Sequence, residues 1–424
     1  MNNCLILLTN YYPFHKGEEY LESEIRHLSK KFKDIYIVST MVSENMKQTR
    51  KVPRNVTLIP IGIRHSISGK IGMFSRQYSA IRKNPEKKQM IKDSTNGKKL
   101  ASLYSYYFES RAMDIYNRLQ SKLNEYDFKQ YGSITIYSYW LYITARVAVE
   151  LKKKYFKELN PYTVSRAHGY DINEHVNLLK FLPEREFLLG ALDKVFPVSQ
   201  NGVNFLKRKY SDYESKVEVR RLGTRKLNVK QFKNNNQLHI VSCSTVRKLK
   251  RIDLIIESLM ILREKQIDFK WTHIGGGPEF ENIKKLASKK LESHQFEFTG
   301  YVKNNEVLDW YQNNQATVFI NTSSSEGVPV SIMEAMSMGL PVIATDVGGT
   351  KEIVVPNVTG ILLKSDCTIE DIANGLITFN SMKQENYNQM RQAAYSLWDK
   401  DCNADKLYSS FAAELSSVDG TSVT

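Results

Sequence analysis

SSSEGVPVSIMEAMSMGLPVIATDVGG (Ser323–Gly349) is the stretch that decides the fold. The apolar run ATVFIN (Ala316–Asn321) leads into it and PVIAT (Pro341–Thr345) closes it, a strand–loop–helix–strand pattern. Pro329 suits the first helical turn and Gly339 the helix stop. In open parallel sheets such a unit puts its loop beyond the carboxyl end of a strand, where ligands bind. Two carboxylates, Glu326 and Glu334, stand on either side of the loop-to-helix junction. The amides of Gly327, Val328, Val330 and Ser331 lie at the helix start, a place for anionic or hydroxyl-rich ligands. Glu334 falls inside the helix, with Val330 and Met338 one turn away on its face. A carboxylate there needs a hydrogen-bond partner, and sugar or ribose hydroxyls would serve. On spacing alone, a capping residue and a solvated side chain would explain the same pair.

Working outward, the first half alternates strands with helices. Leu5–Thr9, Asp34–Thr40, Val56–Pro60, Ile134–Tyr137, Tyr162–Arg166 and Lys194–Ser199 read as strands, and Glu19–Lys31, Leu100–Asn124 and Leu141–Lys153 as helices. After Gly223 the pattern lapses into a polar, asparagine-rich linker. A second series follows, with strands at Leu238–Cys243, Phe269–Gly275, Phe296–Gly300, Ala316–Asn321 and Pro341–Thr345. Helices are expected at Ile252–Glu264, Glu279–Leu291 and across the tail from Tyr387 to Leu415. The expected plan is α/β, with two doubly wound domains. These are 1–225, a linker at 226–236, 237–395, and a C-terminal helix and tail at 396–424.

The chain has 424 residues, 42% of them apolar and 25% charged, a soluble globular composition. No apolar run is long enough to span a bilayer, and MNNCLILLTNYYPF reads as a first strand and not a signal peptide. Cys4, Cys243, Cys367 and Cys402 lack metal-ligand spacing and read as reduced thiols. The formal charge of +15 points to an anionic partner. Ten Lys/Arg against Glu86 and Asp93 fall in an insert at 64–99, among Ile71, Met73, Phe74, Tyr78 and Ile81. That composition fits the face of an anionic bilayer or, equally, a solvated insert. No nucleic-acid-binding motif accompanies the charge, so nucleic acid is not an expected partner.

The Glu326–Glu334 spacing followed by AMSMGLPVIAT resembles glycosyltransferase family 4, the retaining nucleotide-sugar enzymes of the GT-B fold. The resemblance implies two Rossmann-like domains facing a cleft, with the last helix crossing back to the first domain. It implies Glu326 on the transferred sugar, Glu334 on the ribose and Lys250 on the diphosphate. The family's usual arginine and glycine before that lysine are replaced here by Thr245 and Ser244, and either Arg247 or Arg251 could supply the charge. Gly276, Gly277, Tyr301 and Val302 match donor-side loops, as Gly348 and Gly349 do after PVIATD. In the first domain His168, in SRAHGYD, matches a cleft histidine facing the sugar or phosphate, with Arg166 and Asp171 beside it. Gly17 sits where the family has a glycine-bearing phosphate loop, with His15, Lys16 and Glu18 shaping the acceptor side.

The implied reaction is retaining hexosyl transfer by front-face attack, with the leaving phosphate as base. The carboxylate pair is not read as a glycosidase dyad. No cofactor is expected beyond a UDP- or GDP-linked sugar. No metal is expected either, since Asp399–Asp401, the lone D-x-D, lies in the tail. GEEYLESEI and RAHGYD are similar to transferases that build O-antigen, capsule or exopolysaccharide on an undecaprenyl-diphosphate carrier. That implies a lipid-linked glycan acceptor and a cytoplasmic protein held peripherally at the inner membrane face. A soluble small-molecule acceptor and a noncatalytic transferase-like subunit are the alternatives.

Overall fold

Six strands of the first half alternate their side chains between two apolar layers. Cys4, Ile6 and Leu8 enter one buried cluster while Leu5 and Leu7 enter another. A strand apolar on both faces belongs at the centre of a helix-covered parallel sheet, and the computed structural model bears this out. It describes residues 2–417 except 16, 44, 63–66, 175–176, 178 and 228–236. Most of the expected linker, Lys16, the start of the basic insert and the end of the tail therefore lie outside the described residues.

The first sheet comprises β1 (Asn3–Thr9), β2 (Asp34–Ser39), β3 (Val56–Pro60), β4 (Ser133–Ser138), β5 (Tyr162–Ala167) and β6 (Lys194–Pro197), in the order β3-β2-β1-β4-β5-β6. The second comprises β7 (Leu238–Cys243), β8 (Phe269–Ile274), β9 (Phe296–Phe298), β10 (Val318–Asn321), β11 (Val342–Thr345) and β12 (Gly360–Leu363), in the order β12-β11-β10-β7-β8-β9. All pairs within them are parallel. Each order reverses once, between β1 and β4 and between β7 and β10, which places a ligand crevice beyond those strand ends.

The chain divides into one unit of Met1–Arg220 with Tyr408–Thr424, and a second of Arg221–Leu407. In the first, the guanidinium of Arg166 and the carboxylate of Glu24 face each other fully buried, with two contacts of 3.0 Å. Tyr137 and the carbonyl of Arg220 complete that network. Arg166 is therefore an internal tie between β5 and the helix Leu21–Leu28, not a ligand contact. The basic insert forms the helices Ile67–Lys83 and Pro85–Thr95, the second capped by the Asn84 side chain. Lys87 leaves the basic face and pairs with the buried Glu109.

Two elements differ from expectation. β12 was not foreseen, because GILL is only four residues long; Gly360 allows it in, since a Cβ there would lie 1.9 Å from the Val342 carbonyl. The tail is two helices, Gln384–Asp401 and Ala404–Ser417. The break is made by Thr224, whose backbone bonds the Cys402 carbonyl and the Ala404 amide while its hydroxyl accepts from the Trp398 indole.

Candidate functional site

The crevice beyond β7 and β10 is lined by Ser242, Ser244, Lys250, Asn321, Thr322 and Ser323. Its two loops are stitched together. Arg251, in a left-handed conformation (φ 46°), donates to the carbonyls of Thr322 (2.6 Å), Ser323 (3.3 Å) and Ser365 (2.9 Å). The Thr322 hydroxyl returns a bond to the carbonyls of Lys250 (3.0 Å) and Arg251 (2.9 Å). This stitching sets the Lys250 ammonium 2.6 Å from Oε1 of Glu326, and Asn321 donates to the same oxygen at 3.2 Å. Lys250 itself ends a short 3₁₀ turn ahead of the helix Ile252–Glu264.

The two arginines differ in their surroundings. Arg251 is committed to main-chain carbonyls, whereas Arg247 is exposed and has no side-chain partner among the described residues. Arg247→Ala is expected to weaken nucleotide binding roughly 3- to 10-fold with an unchanged melting temperature, in line with one exposed charge-assisted contact. Arg251→Ala should instead lower the melting temperature; nucleotide titration and thermal melting of the two variants separate the roles.

Glu326 is held from behind by Gly348 and Gly349. A Cβ on Gly348, already at φ +57°, would fall 1.9 Å from the Glu326 carbonyl, and one on Gly349 2.7 Å from that of Gly327. These glycines serve the loop that presents Glu326. Gly327 has nothing within 4 Å of its Cβ direction, so the space beside it is open. Pro329, expected in the first helical turn, is the N-cap of a short helix, Val330–Met336. Ile332 and Met333 bond to the Pro329 carbonyl, and the amides of Gly327, Val328, Val330 and Ser331 make no bond among the described residues. Glu334 is only 5% exposed and accepts from Asn304 Nδ2 at 2.8 Å. Burial pushes its carboxyl up to about 7, against the smaller opposing effect of the Asn304 bond.

Other donor-side expectations are redistributed. The glycine triplet packs against protein: Cβ atoms on Gly275 and Gly277 would meet the Ser244 carbonyl at 2.1 Å and the Val246 carbonyl at 2.6 Å. A Cβ on Gly276 would lie 3.1 Å from the Tyr301 amide nitrogen. Their requirement is loop-on-loop packing rather than access for a ligand. Tyr301 is 66% exposed, while Val302 packs on the core.

In the first unit the loops after β1 and β4 meet through Glu18. Its carboxylate accepts from the amides of Asn10 (2.8 Å), Tyr11 (2.8 Å) and Tyr12 (2.7 Å) and from the Trp140 indole (2.7 Å). Glu18 is thus buried and occupied, and it organises the loop instead of meeting an acceptor. The Gly17 amide is also taken, by Glu19 at 2.7 Å, so it is not a free donor to phosphate. Asp171 is fully buried, accepts from the Leu141 amide at 2.7 Å and from the His168 amide, and is corrected from acceptor contact to loop anchor. The His168 ring lies against Trp140 and Tyr139, with centroids 4.4 and 4.9 Å away, and its Nε2 bonds the Tyr139 carbonyl at 3.0 Å. Burial, with Arg166 nearby, pushes its pKa down to about 3. The ring is neutral near pH 7; Nε2–H donates to the carbonyl and Nδ1 is left as an acceptor.

Sequence reasoning missed Asn321, Asn304 and Trp140. Asn321 was readable as the polar end of an apolar strand, whereas Asn304 and Trp140 reach their partners only through the fold. Asp399, the first residue of D-x-D, is bonded to Lys406 and Asn403. Among the described residues no cluster of His, Cys, Asp and Glu could hold a metal ion, and no helix is long and apolar enough to cross a membrane.

The family model for glycosyl transferases group 1 matches residues 224–397, which contain this whole crevice. The chain is 25% identical over 263 residues to the putative colanic acid biosynthesis glycosyltransferase WcaL of Escherichia coli K12, covering 59% of this chain and 63% of that one. It is 28% identical over 225 residues to the amylovoran biosynthesis glycosyltransferase AmsK of Erwinia amylovora, covering 51% and 54%. It therefore spans less than two thirds of the length of these curated relatives. Among solved structures, Anabaena HepE in complex with UDP superimposes with a TM-score of 0.62 at 14% identity, over 98% of this chain and 100% of that one. Residues 224–397 are therefore similar to the glycosyl transferases group 1, and the two parallel sheets, each with one reversal of strand order, give the chain the GT-B fold.

Proposed function

We propose that the protein is a retaining hexosyltransferase that moves a sugar from a UDP-linked donor to a lipid-linked glycan in bacterial exopolysaccharide assembly. The observation that carries this reading is the Lys250–Glu326 pair at the β7/β10 reversal, 2.6 Å apart. Each partner has the charge the other half of the donor needs. The diphosphate would take Lys250, Arg247 and the unbonded amides of Val330 and Ser331, and the sugar hydroxyls would donate to the released Glu326. Glu334 would accept from the ribose.

The bond from the anomeric carbon to the diphosphate oxygen breaks, and a bond to the acceptor oxygen forms on the same face. The acceptor's proton passes to the departing phosphate. Lys250 and the amides stabilise charge on the leaving group as it develops, the larger part of such catalysis. The reading invokes no metal and no further cofactor.

The relatives' exopolysaccharide roles and the UDP of HepE support the donor and pathway. For the acceptor, Leu100 and Leu103 are 70% and 54% exposed beside Lys98 and Lys99, an apolar stripe with cations that suits an anionic membrane surface. Thermal-shift titration with UDP- and GDP-sugars, and sedimentation with vesicles rich in anionic lipid at low salt, test both halves. Stabilisation by a UDP-sugar and lipid-dependent sedimentation are expected. No stabilisation by any nucleotide sugar would overturn the donor, and no sedimentation the membrane-bound acceptor.

A further inference from the structure

The helix Asn304–Asn313 lays one face on the core: Val307, Leu308 and Tyr311 pack in the same cluster as Ile332, Met333 and Met336 of the helix that carries Glu334. Asn304 precedes Val307 and Leu308 by one turn and Tyr311 by two, so it shares that face. Its first turn is fixed by the Glu306 carboxylate, which accepts from the Lys303 amide at 3.1 Å. The Asn304 amide consequently reaches Glu334 Oε1 at 2.8 Å, while Oε2 has no protein partner among the described residues. Among the described residues, the other titratable groups facing Glu334 are Cys243, at the end of β7, and Tyr311, whose buried hydroxyl has no partner there. Neither is a cation, and among the described residues Asn304 is the side chain that bonds the carboxylate.

We infer that Asn304 is a positioning residue, fixing Oε1 of Glu334 so that Oε2 is presented to the ribose hydroxyls of the donor. This rests on the donor reading above. It also ties the loop Tyr301–Lys303, directly before Asn304, to the carboxylate, so that the two donor-side elements move together.

A merely structural contact would alter affinity evenly at all pH values. A positioning hydrogen bond to the carboxylate favours its charged form, so its loss raises the proton affinity of a group already pushed up to about 7. Binding of UDP to the full chain, followed by calorimetry from pH 5.5 to 9, tests this. In the wild type, affinity is expected to fall as the pH drops through about 7. In Asn304→Ala the midpoint should move up by more than about half a pH unit, and further in Asn304→Asp. An Asn304→Ala profile that coincides with the wild type, or is lowered equally at every pH, overturns the proposal. Glu334→Gln separates the two failures. It should flatten the pH dependence; if it binds UDP as the wild type does at every pH, the ribose role of Glu334 falls, and the role of Asn304 with it.

Discussion

Glu326→Gln is expected to lower kcat/KM for sugar transfer at least about 100-fold, roughly 3 kcal/mol of transition-state stabilisation. Glutamine keeps the side chain's length and can still bond Asn321, which now contacts Glu326 at 3.2 Å. It loses the negative charge that Lys250 faces at 2.6 Å and that the hydroxyls of an electron-poor sugar would meet in the transition state. The fold should survive, because Glu326 is partly solvated and its loop is held by Gly348, Gly349 and Arg251 instead. UDP without sugar should bind the variant no more weakly than the wild type, since Lys250 is released from its partner. Steady-state transfer and UDP titration on one preparation check both halves, and undiminished transfer would contradict the role given to Glu326.

The second large effect is on stability. Glu24→Ala leaves the Arg166 guanidinium fully buried with no carboxylate, having lost two contacts of 3.0 Å. Breaking a buried pair from one side costs about 3–5 kcal/mol, because the remaining charge is uncompensated. The double variant Glu24→Leu with Arg166→Met should recover much of that loss. Denaturant unfolding followed by tryptophan fluorescence measures it; a Glu24→Ala loss under about 1 kcal/mol would show that water reaches Arg166. The consequence reaches the site, since Arg166 ties β5, and so the His168 turn, to the helix that follows the Glu18 loop.

Much of this was legible in the sequence, for physical reasons. Strands such as Asn3–Thr9 announce themselves as apolar runs because both faces of the sheet are covered. The Glu326–Glu334 segment was readable since its loop, helix and next strand are consecutive. β12 was hidden because four residues carry too little pattern, and its place depends on a missing Cβ at Gly360. The division of labour between Arg247 and Arg251 was equally invisible. Two neighbouring arginines look alike until the carbonyls of Thr322, Ser323 and Ser365 are brought against one of them. Glu18 and Asp171 misled in the opposite sense. Polar residues beyond strand ends read as ligand contacts, but backbone amides of the same loops had already taken their oxygens.

The most direct measurement is a crystal structure of the full chain with UDP. The diphosphate is expected within hydrogen-bond distance of Lys250 Nζ, with the Lys250–Glu326 contact of 2.6 Å opened and the ribose hydroxyls on Glu334. UDP bound elsewhere, or bound with that ion pair intact, would contradict this expectation.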